Sequence, residues 1–204
     1  MPTRALFTTP LHEEMLDDPA LLADLETSCR MLAEEDRAGQ AWSKAHGYRG
    51  YTSYASLNDL PQRDPAFADL VRALNRHTAA FARDCAFDLG GRKPRLDSLW
   101  VNVMKPGATH SGHIHPHSII SGTLYVAIPP GSGAIRFEDP RLPLMMAAPT
   151  RSPDAPEARQ TFVHVMPAPG MILLWESWLR HEVMAHQGAA KTGSERISIS
   201  FNYR

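Results

Sequence analysis

Four of the ten histidines in this 204-residue chain lie within eight positions, from His110 to His117. His113 and His115 are two residues apart, and alternate side chains of a β-strand point to the same face. On a strand, these two imidazoles could be directed at one transition-metal ion. A polar loop that happens to be rich in histidine would look the same, because short motifs often match by chance. The rest of the chain must therefore supply the further evidence.

A candidate for a third metal ligand lies downstream. His181 stands at the start of another predicted strand, and the last predicted strand places Arg196 and Ser198 on one face. Three protein ligands would leave about half of an octahedral ion open for other molecules. The chain has no Gly-x-Ser-x-Gly motif of a serine hydrolase and no glycine-rich phosphate loop. Metal chemistry is therefore the leading interpretation.

The elements that would position these residues change in character at residue 94. Before it, apolar residues recur at helical spacing in residues 11–38 and from residue 64 to about 90. Residues 4–8 are expected to form a short strand or arm, and residues 39–61 an ordered loop. After residue 94, seven short runs of β-type composition are separated by Pro and Gly. They span residues 96–104, 119–128, 134–138, 161–165, 171–175, 181–185 and 196–203.

The last of these runs indicates how the sheet is arranged. Its polar side chains, on one face, are Arg196, Ser198, Ser200 and Asn202; its apolar side chains, on the other, are Ile197, Ile199, Phe201 and Tyr203. The two amphipathic helices need an apolar sheet surface, so we expect them to cover the apolar face while the polar face lines a cavity. The predicted fold is mainly β, a barrel or sandwich backed by N-terminal helices. The proline-rich residues 140–169 are a candidate for a lid.

Composition limits the partners that the chain is expected to have. A net charge of −1 argues against nucleic acid or an anionic membrane, and no run approaches the roughly eighteen apolar residues of a spanning helix. Cys29 and Cys85 are expected to be reduced cysteines of a cytoplasmic protein. The expected partner is a small-molecule or peptide substrate. Symmetric dimers are the most frequent oligomers, so a homodimer is expected if the chain assembles.

In their order along the chain, these motifs resemble the Fe(II)- and 2-oxoglutarate-dependent oxygenases, and more narrowly a family of such oxygenases from bacteria and phages. The resemblance rests on His113 and His115, on His181, and on Arg196 with Ser198. Further matching segments are residues 100–102, 121–125, 137–141 and 169–170. The likeness covers residues 97–204 well, whereas the helical first half matches only loosely.

The resemblance implies a double-stranded β-helix, a jelly-roll or cupin-like barrel, in a single domain with residues 1–94 as helical support and 95–204 as β-core. It implies Fe(II) bound by His113, His115 and His181. It also implies 2-oxoglutarate as cosubstrate, bound by Arg196, Ser198, Asn102 and Tyr125. The implied reaction hydroxylates an unactivated C–H bond with O₂ and releases succinate and CO₂.

One position departs from the pattern of most relatives, which have a carboxylate where this chain has His115. Three-histidine sites also occur in cupin-type dioxygenases that use no 2-oxoglutarate, and this is the first alternative. A metal-binding barrel without enzymatic activity is the second. Asp139 and Glu182 could supply a carboxylate, but Glu182 is expected to point opposite to His181 on its strand, and Asp139 lies beside the turn-forming Pro140. His110 and His117 are expected to be polar loop residues.

Overall fold

The computed structural model describes residues 3–187 and 194–204. Within them the α-helices are α1 (Pro19–Glu35), α2 (Arg37–Ala45), α3 (Leu60–Arg63) and α4 (Pro65–Asp84). The strands are β1 (Leu11–Met15), β2 (Gly50–Thr52), β3 (Leu96–Met104), β4 (His110–His113), β5 (Ile120–Ala127), β6 (Ile135–Glu138), β7 (Phe162–Val165), β8 (Met171–Glu176), β9 (His181–Val183) and β10 (Arg196–Tyr203). Single 3₁₀ turns lie at Leu142–Leu144 and Glu157–Arg159. No helix in the described part of the chain is long and apolar enough to cross a membrane.

The strands form two antiparallel sheets that pack against each other. The larger sheet has the order β1-β8-β5-β10-β3-β2, and the smaller has the order β4-β9-β6-β7. Leu173 and Trp175 of the larger sheet pack on Ile135 and Phe137 of the smaller one. The mainly β fold is therefore confirmed. All seven predicted strands are present, and β3 and β10 have the predicted bounds.

The outer face of the larger sheet is covered by α1 and α4. Leu25 of α1 and Phe67, Leu74 and Phe81 of α4 belong to the same buried cluster as the apolar face of β10. Complete burial of such a side chain stabilises the fold by roughly 1.5–3 kcal/mol. The prediction that helices cover this face is confirmed, and the polar face of β10 is left to point between the sheets.

The N-terminal segment differs from its prediction. The first strand is residues 11–15 rather than 4–8, whereas the first helix begins at Pro19, within the segment 11–38 of predicted helical spacing, and ends at Glu35. Proline has no backbone N–H and suits the first helical turn, while the Asp18 side chain accepts a hydrogen bond from the Leu21 N–H (3.0 Å). β1 pairs along the edge of β8 through its backbone, and this pairing leaves little trace in its side-chain pattern.

Residues 39–61 also differ from the predicted loop, because they contain most of α2, all of β2 and the start of α3. Gly39 follows the segment 11–38 of predicted helical spacing, but it lies in the first turn of α2. A Cβ there would collide with the Asp36 carboxylate, which caps this helix. The division at residue 94 is likewise too sharp, since β1 and β2 belong to the larger sheet.

Candidate metal centre

Three imidazoles converge at one end of the smaller sheet. His113 ends β4 and lies in register opposite His181, which begins β9. One ring nitrogen from each of His113, His115 and His181 lies within 4.8 Å of the others. The Nε2 atoms of His115 and His181 are 3.3 Å apart. A six-coordinate ion with metal–nitrogen bonds of about 2.1 Å requires adjacent ligands about 3.0 Å apart, so this donor set fits a divalent transition metal.

His113 and His115 lie close together as predicted, but they do not lie on one strand. β4 ends at His113, so His115 does not share a strand with it. His115 lies instead in the following loop, where its backbone N–H donates to the Ser177 carbonyl (3.0 Å). Pro116 comes next and has no N–H to continue a ladder. The loop, and not strand alternation, directs His115 to the cluster.

Backbone carbonyls orient two of the three imidazoles. His113 Nδ1 lies 2.7 Å from the Ser111 oxygen, and His181 Nδ1 lies 2.9 Å from the Leu179 oxygen. An Nδ1–H that donates to a carbonyl leaves the Nε2 lone pair free for a metal. Burial and the neighbouring imidazoles lower the pKa of His181 to about 3 and that of His115 to about 4. Both rings are therefore neutral at neutral pH, the form that binds a metal.

A cavity of about 850 Å³ lies between the sheets and opens beside the histidines. The polar face of β10 lines it with Arg196, Ser198, Ser200 and Asn202, as predicted. Its volume lies within the range of small-molecule sites, about 300–1,000 Å³. The candidate metal centre and the buried arginine therefore share one cavity.

Arg196 is a buried cation without an acidic partner in the described part of the chain. Its side chain is 2% exposed. Nη1 donates to Met104 Sδ (3.3 Å) and weakly to Ser198 Oγ (3.5 Å), while Nε has no partner. Burial lowers the pKa of this guanidinium. An unpaired buried charge is costly, so the site is built for an anionic ligand.

Two further buried donors face the same cavity. The Tyr125 hydroxyl and the Trp175 indole N–H have no hydrogen-bond partner, and the Arg196 guanidinium carbon lies 5.0 Å from the centre of the Tyr125 ring. Burial raises the pKa of Tyr125 to about 12, so its hydroxyl stays protonated and can donate. Together with Arg196, these orphaned donors fit the carboxylate oxygens of a dicarboxylic acid such as 2-oxoglutarate.

Asn102 lines the cavity but is already engaged. Its Oδ1 accepts from Thr52 Oγ1 (2.9 Å) and Tyr48 OH (3.4 Å), and its Nδ2 donates to Ser200 Oγ (3.1 Å). This side chain joins β2, β3 and β10 across the cavity wall. Asn102 therefore has its amide hydrogen-bonded within the protein, whereas Tyr125 keeps a free hydroxyl that can donate to a ligand.

Sequence reasoning missed the pairing of His110 with Tyr48. His110 Nε2 lies 2.9 Å from the Tyr48 hydroxyl, and both residues line the cavity. Burial, with His113 and Arg196 nearby, lowers the pKa of His110 to about 4. His110 was expected to be a loop residue, but it begins β4. The available signal was the recurrence of tyrosine at positions 48, 51 and 54, in a segment predicted to be an ordered loop.

The acidic side chains near the motif point elsewhere, as expected. Asp139 pairs with Arg141 (2.7 Å) and Glu182 pairs with Arg136 (2.8 Å). The proline-rich residues 140–169 contribute none of the residues that line the cavity in the described chain, and 162–165 form β7. His117 lies at the cavity mouth with a left-handed backbone (φ 76°).

Known proteins share these features. Residues 98–202, just over half of the chain, match the family model described as "Putative 2OG-Fe(II) oxygenase". No curated protein matches the sequence. A prolyl-4-hydroxylase from Pseudomonas putida has a TM-score of 0.65 at 19% identity, over 97% of this chain and 94% of that chain.

Two further solved structures contain ligands. HygX from Streptomyces hygroscopicus, with nickel, 2-oxoglutarate and hygromycin B bound, has a TM-score of 0.61 at 16% identity, over 96% of this chain and 83% of that chain. The epimerase SnoN, with Fe³⁺, alpha ketoglutarate and nogalamycin RO, has a TM-score of 0.59 at 15% identity, over 96% and 79%. These likenesses show the fold, the double-stranded β-helix. With the family match, they establish that the chain belongs to the 2OG-Fe(II) oxygenase family, whose members use Fe(II), 2-oxoglutarate and O₂.

Proposed function

We propose that this oxygenase hydroxylates a C–H bond of a small-molecule or peptide substrate. The proposed iron ligands are His113, His115 and His181, and the proposed cosubstrate contacts are Arg196, Ser198 and Tyr125. The observation that carries this assignment is the buried, unpaired Arg196 guanidinium in the same cavity as the three imidazoles. Without an anionic ligand, this buried charge would only destabilise the protein.

The residues divide the work of binding the cosubstrate. Three imidazoles leave about half of an octahedral coordination sphere open, enough for a chelating 2-oxo acid and O₂. Arg196 offers a planar donor fork to the far carboxylate, and the neighbouring Ser198 hydroxyl offers a second contact. The Tyr125 hydroxyl and the Trp175 N–H would satisfy oxygens that the guanidinium does not reach. In this arrangement every orphaned donor of the cavity gains a partner.

The protein contributes position and water exclusion, while bound iron and 2-oxoglutarate would activate O₂, which is the oxidant. One atom of O₂ enters succinate, with loss of CO₂, and the other enters the substrate as a hydroxyl. The rings of Trp175 and Phe137 pack beside His181, at 4.7 and 6.1 Å between centroids, and keep that side of the centre dry.

Anaerobic titration with Fe(II) and 2-oxoglutarate tests the assignment. We expect a weak visible charge-transfer band in the wild type and its loss in Arg196→Ala. Arg180→Ala is the matched control, since Arg180 is a half-exposed arginine near the histidines that does not line the cavity. This control should keep the band.

A three-histidine dioxygenase of cupin type that does not use 2-oxoglutarate is the second candidate. The observation in its favour is the neutral donor set, in which His115 stands in place of a carboxylate. Binding of Fe(II) without any 2-oxoglutarate-dependent band in the wild type would favour this candidate, because such an enzyme does not bind 2-oxoglutarate at its metal. Failure to bind any divalent metal would reject both.

A further inference from the structure

A row of aromatic rings leads from the candidate metal centre to the protein surface. Trp100 lies 5.9 Å from His115 between ring centroids, Tyr54 lies 5.3 Å from Trp100, and Trp42 lies 6.4 Å from Tyr54. All three rings line the cavity. We call Trp42, Tyr54 and Trp100 the ring wall. A molecule lying against it could place one of its atoms at the three histidines.

The ring wall is held from behind by buried hydrogen bonds. Thr52 N–H donates to Ser43 Oγ (3.1 Å), which fixes α2 and its Trp42 to β2. Tyr54 N–H donates to Thr52 Oγ1 (3.3 Å), and Val101 N–H donates to Ser53 Oγ (3.0 Å). Ser43, Thr52 and Ser53 are all buried. The segments that carry the rings are therefore positioned by the backbone framework and not by the rings themselves.

The ring of Tyr54 is largely exposed to solvent and is not needed to fill the protein core. Its side chain is 61% exposed, although it stands on this rigid framework. Ligand cavities are lined mainly by apolar and aromatic side chains, and Tyr54 is such a side chain at the open end of this one. Aromatic side chains also bring large contact area to an interface. The ring of Tyr54 is thus available to a ligand at the mouth without rearrangement of the chain.

The charges of the cavity disfavour a cationic substrate. No Asp, Glu or Lys is among the described residues that line it, and its full charges are the guanidinium groups of Arg49 and Arg196. A cationic ligand would gain from the ring faces, but with Arg196 bound to 2-oxoglutarate it would still meet the Arg49 guanidinium and no carboxylate side chain of the cavity lining. The edge of an uncharged aromatic ring also matches the negative faces of Tyr54 and Trp100.

We propose that the ring wall is the substrate subsite and that it takes a molecule with a planar aromatic or heteroaromatic ring and no positive charge. The inference deepens the proposed function, because the substrate would present a carbon next to that ring to the metal centre. Binding of the ring is nevertheless a separate property, and it can be measured without turnover.

Ligand-observed NMR with protein loaded with Co(II) and 2-oxoglutarate tests the proposal, with Zn(II) as the diamagnetic reference. The probes are N-acetyl-L-phenylalaninamide, its cyclohexylalanine counterpart and N-acetyl-L-lysinamide. We expect saturation transfer to the phenyl probe and Co(II)-specific broadening of its ring protons. The cyclohexyl probe should bind about threefold to tenfold more weakly, the range of an aromatic pair contact. The lysine probe should bind least.

Substitutions then locate the binding. Tyr54→Ala should weaken the phenyl probe about threefold to tenfold, while Tyr54→Phe should retain it. Trp178→Ala is the matched control. Trp178 is a 46% exposed aromatic residue near His115, but it lies outside the cavity, so its loss should leave the probe unaffected.

Three results would overturn the inference: equal binding of the phenyl and cyclohexyl probes, strongest binding of the lysine probe, or no response to Tyr54→Ala. The same samples report on 2-oxoglutarate through its own methylene signals. Bound 2-oxoglutarate without bound phenyl probe would reject the subsite alone. A bound phenyl probe without bound 2-oxoglutarate would reject the proposed function and leave the subsite standing.

Discussion

The two faces of β10 differ in what they contribute to the molecule. On the outer face, Ile197, Ile199, Phe201 and Tyr203 are fully buried beneath α1 and α4. On the inner face, Arg196 is just as inaccessible to solvent, yet its Nε has no partner. The side chains of the outer face are fully packed, whereas the inner face keeps a buried donor that needs a ligand as its hydrogen-bond partner. Stability and function are therefore separated along one strand by the alternation of its side chains.

Phe201→Ala should give the largest change in stability. Phe201 is fully buried in the outer cluster and contacts Tyr203 edge-on, with centroids 6.1 Å apart. Loss of a buried phenylalanine costs about 3–5 kcal/mol of unfolding free energy, through lost burial and a cavity. Urea denaturation of the metal-free protein measures this change. A loss below about 1 kcal/mol would show that the outer face does not carry the fold.

Arg196→Met should preserve stability but weaken the binding of 2-oxoglutarate. Replacement of a buried, unpaired charge by an apolar side chain of similar length should leave stability unchanged or raise it by about 1–3 kcal/mol. Affinity for 2-oxoglutarate in the metal-loaded protein should fall about 100-fold, as lost charge-assisted hydrogen bonds predict. Denaturation and calorimetric titration measure the two effects. A destabilisation as large as that of Phe201→Ala would end the distinction between the faces.

The same alternation explains why so much of the β-core could be predicted from sequence. β10 has the predicted bounds because its polar and apolar side chains alternate, and β3 because it lies between the turn signals Pro94 and Pro106–Gly107. The polar face of β10 was correctly assigned to the cavity, since two amphipathic helices needed the other face. Where local pattern and tertiary packing agree, the sequence is a sufficient guide.

The rest depends on contacts that no local pattern records. β1 is specified by its backbone pairing with β8, and His115 reaches the metal centre through a loop bound to Ser177. Tyr48 and His110 meet although 62 positions separate them. The resemblance identified the three histidines, but the orphaned donors of Tyr125 and Trp175 became visible only with the cavity.

The Asp36 carboxylate in the N-terminal half is a charged group that, unlike Arg196, has hydrogen-bond partners within the protein. Burial alone would raise the pKa of Asp36, but hydrogen bonds from Ser56, the Gly39 N–H and Tyr51 outweigh it and lower that pKa. The folded pKa then lies below the unfolded one, so this stabilisation is present above about pH 4 and is lost as pH falls through the lowered value. Asp36→Asn keeps an oxygen for the Gly39 N–H but puts an N–H donor where Oδ2 accepts from Ser56 and Tyr51. It should therefore cost about 1–2 kcal/mol at pH 7, as expected for lost hydrogen bonds to a half-buried charged group.

The difference between wild type and Asp36→Asn should shrink in denaturation curves recorded below pH 4. Asp24→Asn is the control, because Asp24 is an exposed residue of α1 whose carboxylate makes no hydrogen bond or ion pair with the described residues. If the difference stays constant down to pH 3, the carboxylate charge is not the source of the stabilisation.

Ser200→Ala should have the smallest effect, and it sharpens the comparison of the two faces. Ser200 Oγ accepts one hydrogen bond from Asn102 Nδ2 on the inner face, and the residue is half-buried. A buried hydrogen bond is worth about 0.5–1.5 kcal/mol, but water in the cavity can replace this one, so the expected loss of unfolding free energy is at the lower end. A loss above about 2 kcal/mol would mean that the inner wall also holds the fold together. The small loss expected would instead show that this wall can be changed for a new ligand with little effect on stability.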